Sequence, residues 1–318
     1  MTRIGRRNLL VGATATLSLG ALGCASETTH LRASGRRSLV SRGIERLIGA
    51  HHSVDGAGVS LTRHLQEAAL ETLDPFVLLD EIHSSNPADY ERGFPSHPHR
   101  GFETVSIMLA GRFRHRDSRG GGGVVVPGGA QWMTAGSGIV HSEMPEPAES
   151  PELWGFQLWV NLPRADKWSA PGYQELGAER MGEVALDRGG VLRVIAGELL
   201  GARGPVTPRA TQPVLATLRL DAGDDVELRL PREHSAFVLA AEGSPGIGPR
   251  QERIPEGALA QLTSEGELLR IRAEQPAQLL VLAGAPIREP IAHGGPFVMN
   301  TDEEIEQAFA DYRAGRLG

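Results

Sequence analysis

His97 and His99 stand two positions apart in the stretch FPSHPHRGFETV, and His141 and Glu143 repeat that spacing in GSGIVHSEMPE. On an extended strand successive side chains point to opposite faces, so His97 and His99 share one face with Cα atoms about 6.6 Å apart, while Pro98 points away. Both imidazoles can then converge on one ion at about 2.1 Å. His141 and Glu143 add a third nitrogen and a carboxylate by the same geometry. Three neutral nitrogens and one carboxylate suit a divalent first-row metal, and an ion held this way with open positions can accept dioxygen or a chelating substrate. A lone histidine on a strand is ordinarily a satisfied core or surface residue; two alternating pairs argue for ligation. Glu103, four residues beyond His99, shares their face if the strand continues, so it competes with Glu143 as the carboxylate ligand. Spacing leaves that choice open.

The elements that must position these residues read as strands. Short apolar runs such as DPFVLLDEI, TVSIMLAG, WGFQLWVNLP, VLRVIAG, PVLATLRL, SAFVLAAEG and AQLLVLAGAP recur between turn signals, in a chain with 40 glycines and 21 prolines. Their length and their Gly/Pro boundaries suit antiparallel sheets rather than the 3.6-residue period of helices. An all-β architecture of barrels or sandwiches follows. At 318 residues the chain can bury two cores. Charged and Gly-rich residues interrupt the strands over YQELGAERMGEVALDRGG, which places a domain boundary there: residues 41–175 form an N-terminal metal-binding domain and 176–318 a second one. The tail TDEEIEQAFADYRAGRLG is helical, with Thr301 and Glu304 as a capping box, acids in the first turn and Gly315 as the stop.

With 32 basic and 39 acidic residues the net charge is −7, which gives no overall footprint for nucleic acid. Lys167 is the single lysine, so the basic side chains are nearly all arginine, a bias that reflects codon usage more than chemistry. Arg112, Arg114 and Arg116 alternate with Phe113 and His115, which reads as a solvated basic edge with His115 turned inward. The glycine-rich link RDSRGGGGVVVPGGAQ is followed by neither a helix nor a Lys-Ser/Thr pair, so it reads as turns between strands and not as a phosphate loop.

The first 24 residues, MTRIGRRNLLVGATATLSLGALGC, stand apart. Arg6 and Arg7 precede a weakly apolar run that stops at Cys24, the one cysteine. The pattern resembles a twin-arginine export signal, which moves folded proteins and would allow metal loading before translocation. ALGC approximates a lipobox with Ala21 and Leu22 in reversed order, so lipidation of Cys24 and ordinary cleavage nearby both stay open. Export, to the periplasm or to a lipid-anchored site on the membrane, is the expectation. Residues 25–40 read as a polar linker.

HPHRGFETV, VPGGAQWMTAGSGIVHSEMPE, LWVNLP and GPFVMNTDEEIEQAF together resemble the pirin family, bicupins of the cupin superfamily, from about Thr62 to the end of the chain. That resemblance implies two stacked antiparallel β-barrels with a short C-terminal helix. It implies iron in the first barrel, ligated by His97, His99, His141 and Glu143, and so decides between the two glutamates. Glu103 and His115 are then expected beside the ligands, where Glu103 would orient one. The donor set by itself also accepts Mn, Co, Ni, Cu or Zn. The second half has only His234 and His293, neither with a partner at ligand spacing. It is expected to hold no metal and to cover the first barrel.

Two functions of different classes fit. The resemblance implies a dioxygenase of the quercetin 2,3-dioxygenase type, acting on a small aromatic chelating substrate and O2, with Glu143 taking the substrate's proton. Gln131, Trp132 and Met133 are then expected at the substrate entrance, Trp132 offering a flat surface to a ring. The alternative is a binding protein whose iron state alters its affinity for a partner, as in the nuclear pirins of animals. Oligomeric state is not legible from the residues.

Overall fold

The computed structural model describes residues 39–65, 73–146, 148–207 and 209–317. The segment expected to be an export signal, with Arg6, Arg7 and Cys24, and nearly all of the expected 25–40 linker lie outside the described residues. Twelve strands make the first half: β1 (Ile44–Ile48), β2 (His51–Asp55), β3 (Val59–Leu65), β4 (Phe76–Ser84), β5 (Phe94–His99), β6 (Phe102–Ala110), β7 (Phe113–Asp117), β8 (Gly122–Val125), β9 (Ala130–Thr134), β10 (Ile139–Pro145), β11 (Leu153–Asn161) and β12 (Gly172–Leu176). Their sheets are antiparallel. A seven-stranded sheet in the order β12-β9-β6-β11-β4-β3-β2 faces a four-stranded sheet, β5-β10-β7-β8.

The two faces of the seven-stranded sheet have opposite character, as the period of two requires. Outward residues Leu79, Val105, Ile107, Phe156 and Leu158 enter an apolar layer with Ile195, Leu215, Phe237 and Leu280 of the second half. Phe76 and Phe237 meet there edge to face, with centroids 5.1 Å apart. The inward face is polar at its centre, where the register aligns Asp80, Gln157, Ser106, Gln131 and Glu175 in one row across five strands. One barrel is thus glued to its neighbour by its apolar face while its interior stays available for chemistry.

The second barrel repeats the plan with a different filling. Strands Val191–Ala196, Val214–Leu220, Ser235–Glu242, Leu259–Leu262 and Ala277–Gly284 form the middle of its seven-stranded sheet. Val194, Leu218, Leu228, Val238, Ile271 and Val281 belong to the apolar cluster within it. The continuous run VLATLRL is buried toward both faces because one faces that interior and the other the neighbouring barrel.

Residues 41–48 depart from the sequence reading, which put them in the first domain. β1 pairs with Leu259–Leu262 at the edge of the second barrel's sheet, Leu47 opposite Ala260. Arg42, just before it, is buried and donates to the carbonyls of Pro231, Arg232, His234 and Gly266. Five donors on one guanidinium can satisfy several carbonyls at once, which anchors the segment to the second barrel.

The C-terminal end returns to the first barrel. Helix α1 (Asp302–Arg313) starts with the expected capping box, Thr301 accepting from the Glu304 amide and the Glu304 side chain accepting from the Thr301 amide. Ile305 and Ala308 pack on the hairpin formed by Ala292–Gly294 and Phe297–Met299. Phe297 bridges to Arg100 at the end of β5, and Arg100 pairs with Asp311 of α1 at 2.8 Å. Lys167, only 1% exposed, donates to Gly101 O (2.8 Å), Asn161 Oδ1 (2.6 Å) and Val298 O (2.9 Å). Burial pulls its pKa down to about 7. Three acceptors nonetheless match the three hydrogens of an ammonium, so the geometry favours the charged form at neutral pH. The one lysine is therefore a clamp between the first barrel and the C-terminal hairpin.

Candidate metal centre

β5 and β10 are hydrogen-bonded neighbours with His97 opposite His141 and His99 opposite Ile139. Among the described residues, one ligand nitrogen from each of His97, His99 and His141 lies within 4.8 Å of the others. The ring centroids are 4.7, 4.4 and 4.9 Å apart for the pairs 97–99, 97–141 and 99–141. Second partners orient two of the rings. Nδ1 of His97 lies 2.8 Å from Pro95 O, and Nδ1 of His99 lies 3.3 Å from Pro296 O on the C-terminal hairpin. A carbonyl can only accept, so both Nδ1 atoms carry the proton and both Nε2 atoms present lone pairs.

Those two Nε2 atoms are 3.0 Å apart. Lone pairs facing at that distance repel unless a cation or a shared proton stands with them, and neither ring nitrogen of the fully buried His141 has a hydrogen-bond partner among the described residues. The donor set therefore fits a transition ion better than it fits an ordinary core. Burial, reinforced by the neighbouring histidines, holds the pKa of His99 and His141 well below the ordinary value, which keeps both rings neutral, each with one nitrogen lone pair to offer.

Glu143 is the carboxylate on this side of the barrel. Its Oε2 lies 3.9 Å from His141 Nε2, and both oxygens are held: Ser106 Oγ donates to Oε1 at 3.0 Å and Gln157 Nε2 to Oε2 at 2.9 Å. Ser106 and Gln157 were not legible as site residues from motif spacing. Each is the lone polar residue in an otherwise apolar run, VSIML and GFQLWV, which is the signal that could have found them. His115 of β7 sits opposite Glu143 of β10, buried, with Nε2 2.9 Å from Glu175 Oε1. It faces inward beside Glu143, as the alternation along β7 predicts.

Glu103 stands elsewhere. Gly101, at φ +87°, turns the chain between β5 and β6, and a Cβ there would lie 2.1 Å from Val298 O. The strand does not continue, so Glu103 does not share the histidine face. Its Oε1 accepts from Thr134 Oγ1 at 2.7 Å and pairs with Arg209 at 3.2 Å, while burial pushes its pKa up. Glu103 ties the first barrel to the segment leading into the second and, among the described residues, bonds to no histidine.

A cleft of about 600 Å³ opens onto His97, His99 and Glu143, walled by Asp55, Arg63, Asp80, Phe94, Trp159 and His293. Arg63 holds Asp80 through two bonds of 2.8 and 2.7 Å. None of Gln131, Trp132 and Met133 lines it. Gln131 is buried and donates to Glu175 at 3.0 Å; Trp132, 0% exposed, lies in the apolar layer between the barrels; Met133 packs with Ala135 and Ile139. The alternation along β9 turns Trp132 to the opposite face from its neighbours. The aromatic wall is instead Trp159, whose ring centroid is 5.3 Å from that of His99. A cavity of about 680 Å³ elsewhere, lined by Glu45, Asp74, Glu233 and His234, brings no three such ligand atoms together among the described residues.

Comparison with known proteins follows the same outline. The family model described as Pirin matches residues 58–160, and that of the Pirin C-terminal cupin domain matches residues 215–318. A Pseudomonas aeruginosa protein named "Putative quercetin 2,3-dioxygenase" is 47% identical, covering 87% of this chain and 98% of its own. Human pirin is 40% identical, covering 83% of this chain and 90% of its own. The crystal structure of quercetin 2,3-dioxygenase from Acinetobacter baumannii superposes with a TM-score of 0.81 at 36% identity, covering 87% of this chain and 98% of that one. Two cupin-type barrels, the histidine cluster in the first of them and relatives matched over nearly their whole length lead to one assignment: the chain belongs to the pirin family.

Proposed function

We propose that this protein is an iron-dependent dioxygenase of the quercetin 2,3-dioxygenase type, cleaving a flavonol or a similar chelating enol, with His97, His99, His141 and Glu143 as the metal ligands. The observation that carries the reading is the meeting of three imidazoles and one carboxylate at the base of an aromatic-walled cleft. The relatives named for quercetin cleavage support the same substrate class.

An ion bound there supplies Lewis acidity that lowers the pKa of a chelating hydroxyl and a place where dioxygen and the activated ring can meet. The chain's own residues do the rest. Glu143 accepts the hydroxyl proton at a carboxylate oxygen, and Ser106 and Gln157 hold that carboxylate in position. Trp159 and Phe94 offer flat apolar surface to the substrate ring. Pro296 of the C-terminal hairpin orients His99, so the second half of the chain completes the site of the first.

The deciding experiment is an oxygen-electrode assay of iron-loaded protein with quercetin and related chelating enols, combined with elemental analysis. Oxygen uptake with cleavage of the flavonol is expected. Absence of uptake with every such compound, at one bound iron per chain, would remove the enzymatic reading. We also propose export by the N-terminal leader, on the strength of Arg6, Arg7 and the apolar run that ends at Cys24.

A further inference from the structure

Gln157 stands at the centre of β11, between Ser106 of β6 and Asp80 of β4. Its Nε2 donates to Glu143 Oε2 at 2.9 Å. An ionised carboxylate only accepts, so this bond settles the amide's orientation: the NH2 faces Glu143 and the carbonyl faces away. That carbonyl oxygen, Oε1, is buried and has no hydrogen-bond partner among the described residues. Donors on three polar side chains of the same cleft and sheet row are engaged with carboxylates. Arg63 gives Nε and Nη2 to Asp80, Ser106 Oγ goes to Glu143, and Gln131 Nε2 goes to Glu175.

Gln157 also lines two spaces at once. One is the cleft that holds His97, His99 and Glu143; the other is a side pocket of about 20 Å³ walled by Ile82, Phe94, Met108, Phe113 and Leu153. A buried acceptor without a donor is a standing cost to the folded chain. A water would need two to four polar partners to relieve it, and the side pocket is mostly apolar. An ammonium is disfavoured too, because an amide oxygen among apolar walls does not compensate a full charge and Asp80 is already neutralised by Arg63. An uncharged hydroxyl on a substrate bound in the cleft, which Gln157 also lines, satisfies the oxygen without bringing a charge to it.

We propose that Gln157 Oε1 accepts a hydrogen bond from a substrate hydroxyl other than the one that chelates the ion. Gln157 is then a specificity-determining residue, which selects polyhydroxylated aromatic chelators over congeners lacking that hydroxyl. A site built to bond a hydroxyl rejects the analogue without it because its own acceptor is left unpaired. The same amide joins the hydroxyl to Glu143, so recognition and proton acceptance share one side chain. This inference rests on the dioxygenase reading above.

The test uses the full chain loaded with zinc, which binds the same ligands without redox turnover, so that affinity is read apart from activity. It is titrated with 3-hydroxyflavone, galangin, kaempferol and quercetin, which add hydroxyls stepwise, and the absorbance shift of the bound flavonol is followed. Wild type is expected to gain at least tenfold in affinity at one of these additions. Gln157→Leu and Gln157→Met, each checked for one bound zinc, are expected to shrink that gain below threefold. Equal affinity of wild type for all four compounds, or a gain that survives in both variants, overturns the assignment of Gln157 alone. Failure of zinc-loaded wild type to bind any of the four overturns it together with the flavonol reading, and the wild-type titration tells the two failures apart.

Discussion

His97 Nε2 and His99 Nε2 lie 3.0 Å apart, with each ring's Nδ1 proton directed at a backbone carbonyl. The arrangement leaves two lone pairs facing one another beside a third imidazole, that of His141. Backbone carbonyls from Pro95 and from Pro296, nearly 200 residues further on, thus decide which nitrogens face the site.

Removal of one ring should release the ion. His141→Ala is expected to lower bound metal from one equivalent to a small fraction of one, with the far-UV β signature unchanged, because the ring makes no hydrogen bond among the described residues. Elemental analysis after dialysis provides the check, and full occupancy in the variant would contradict the assignment.

Acid should destabilise the metal-free protein. Burial holds the folded pKa of His99 and His141 well below that of the unfolded chain, about 6.5. Between that value and the depressed folded pKa the unfolded state binds more protons, so this contribution to stability is complete above about pH 6.5 and declines as pH falls. Urea unfolding of the metal-free protein at pH 7.5 and at pH 5.5 is expected to show the lower midpoint at pH 5.5. For the same reason metal should be retained at pH 6, where an exposed histidine site would already be losing it to protons.

Glu143→Gln separates proton transfer from folding. The amide keeps the shape and an acceptor for Ser106 but cannot take up a proton, so kcat should drop by about 10²-fold or more. The thermal midpoint should move by only a few degrees. A variant with wild-type kcat at saturating flavonol would remove Glu143 as the base.

Lys167→Met should be costly far from the ion. It leaves Gly101 O, Asn161 Oδ1 and Val298 O without their shared donor, at roughly 1–3 kcal/mol for each group that stays buried and unpaired. Because Val298 belongs to the hairpin that carries Pro296, the variant should also bind metal less tightly. Denaturant titration and a chelator competition measure the two effects.

The leader can be tested directly. Arg6→Lys combined with Arg7→Lys should leave the protein in the cytoplasm on fractionation, since the paired arginines are what the resemblance to a twin-arginine signal rests on. Unchanged export would assign the segment to another route.

The sequence by itself determined the β architecture, the terminal helix with its capping box, and the pairs His97/His99 and His141/Glu143. These depend on local periods of two and 3.6 residues, and a strand cannot hide which side chains share a face. Tertiary structure alone decided what each face meets. Trp132 and Trp159 both sit in apolar strands, yet one is buried between barrels and the other walls the cleft, because they point to opposite faces of one sheet and each face meets a different neighbour. Glu103 left the histidine face because Gly101 turns the chain under the contact with Val298, a residue almost 200 positions away. Ser106 and Gln157 became site residues only when register aligned them across β6 and β11 beneath Glu143. Periodicity is written in neighbouring residues; cross-strand register and barrel stacking are long-range contacts, and one chain read in order does not contain them.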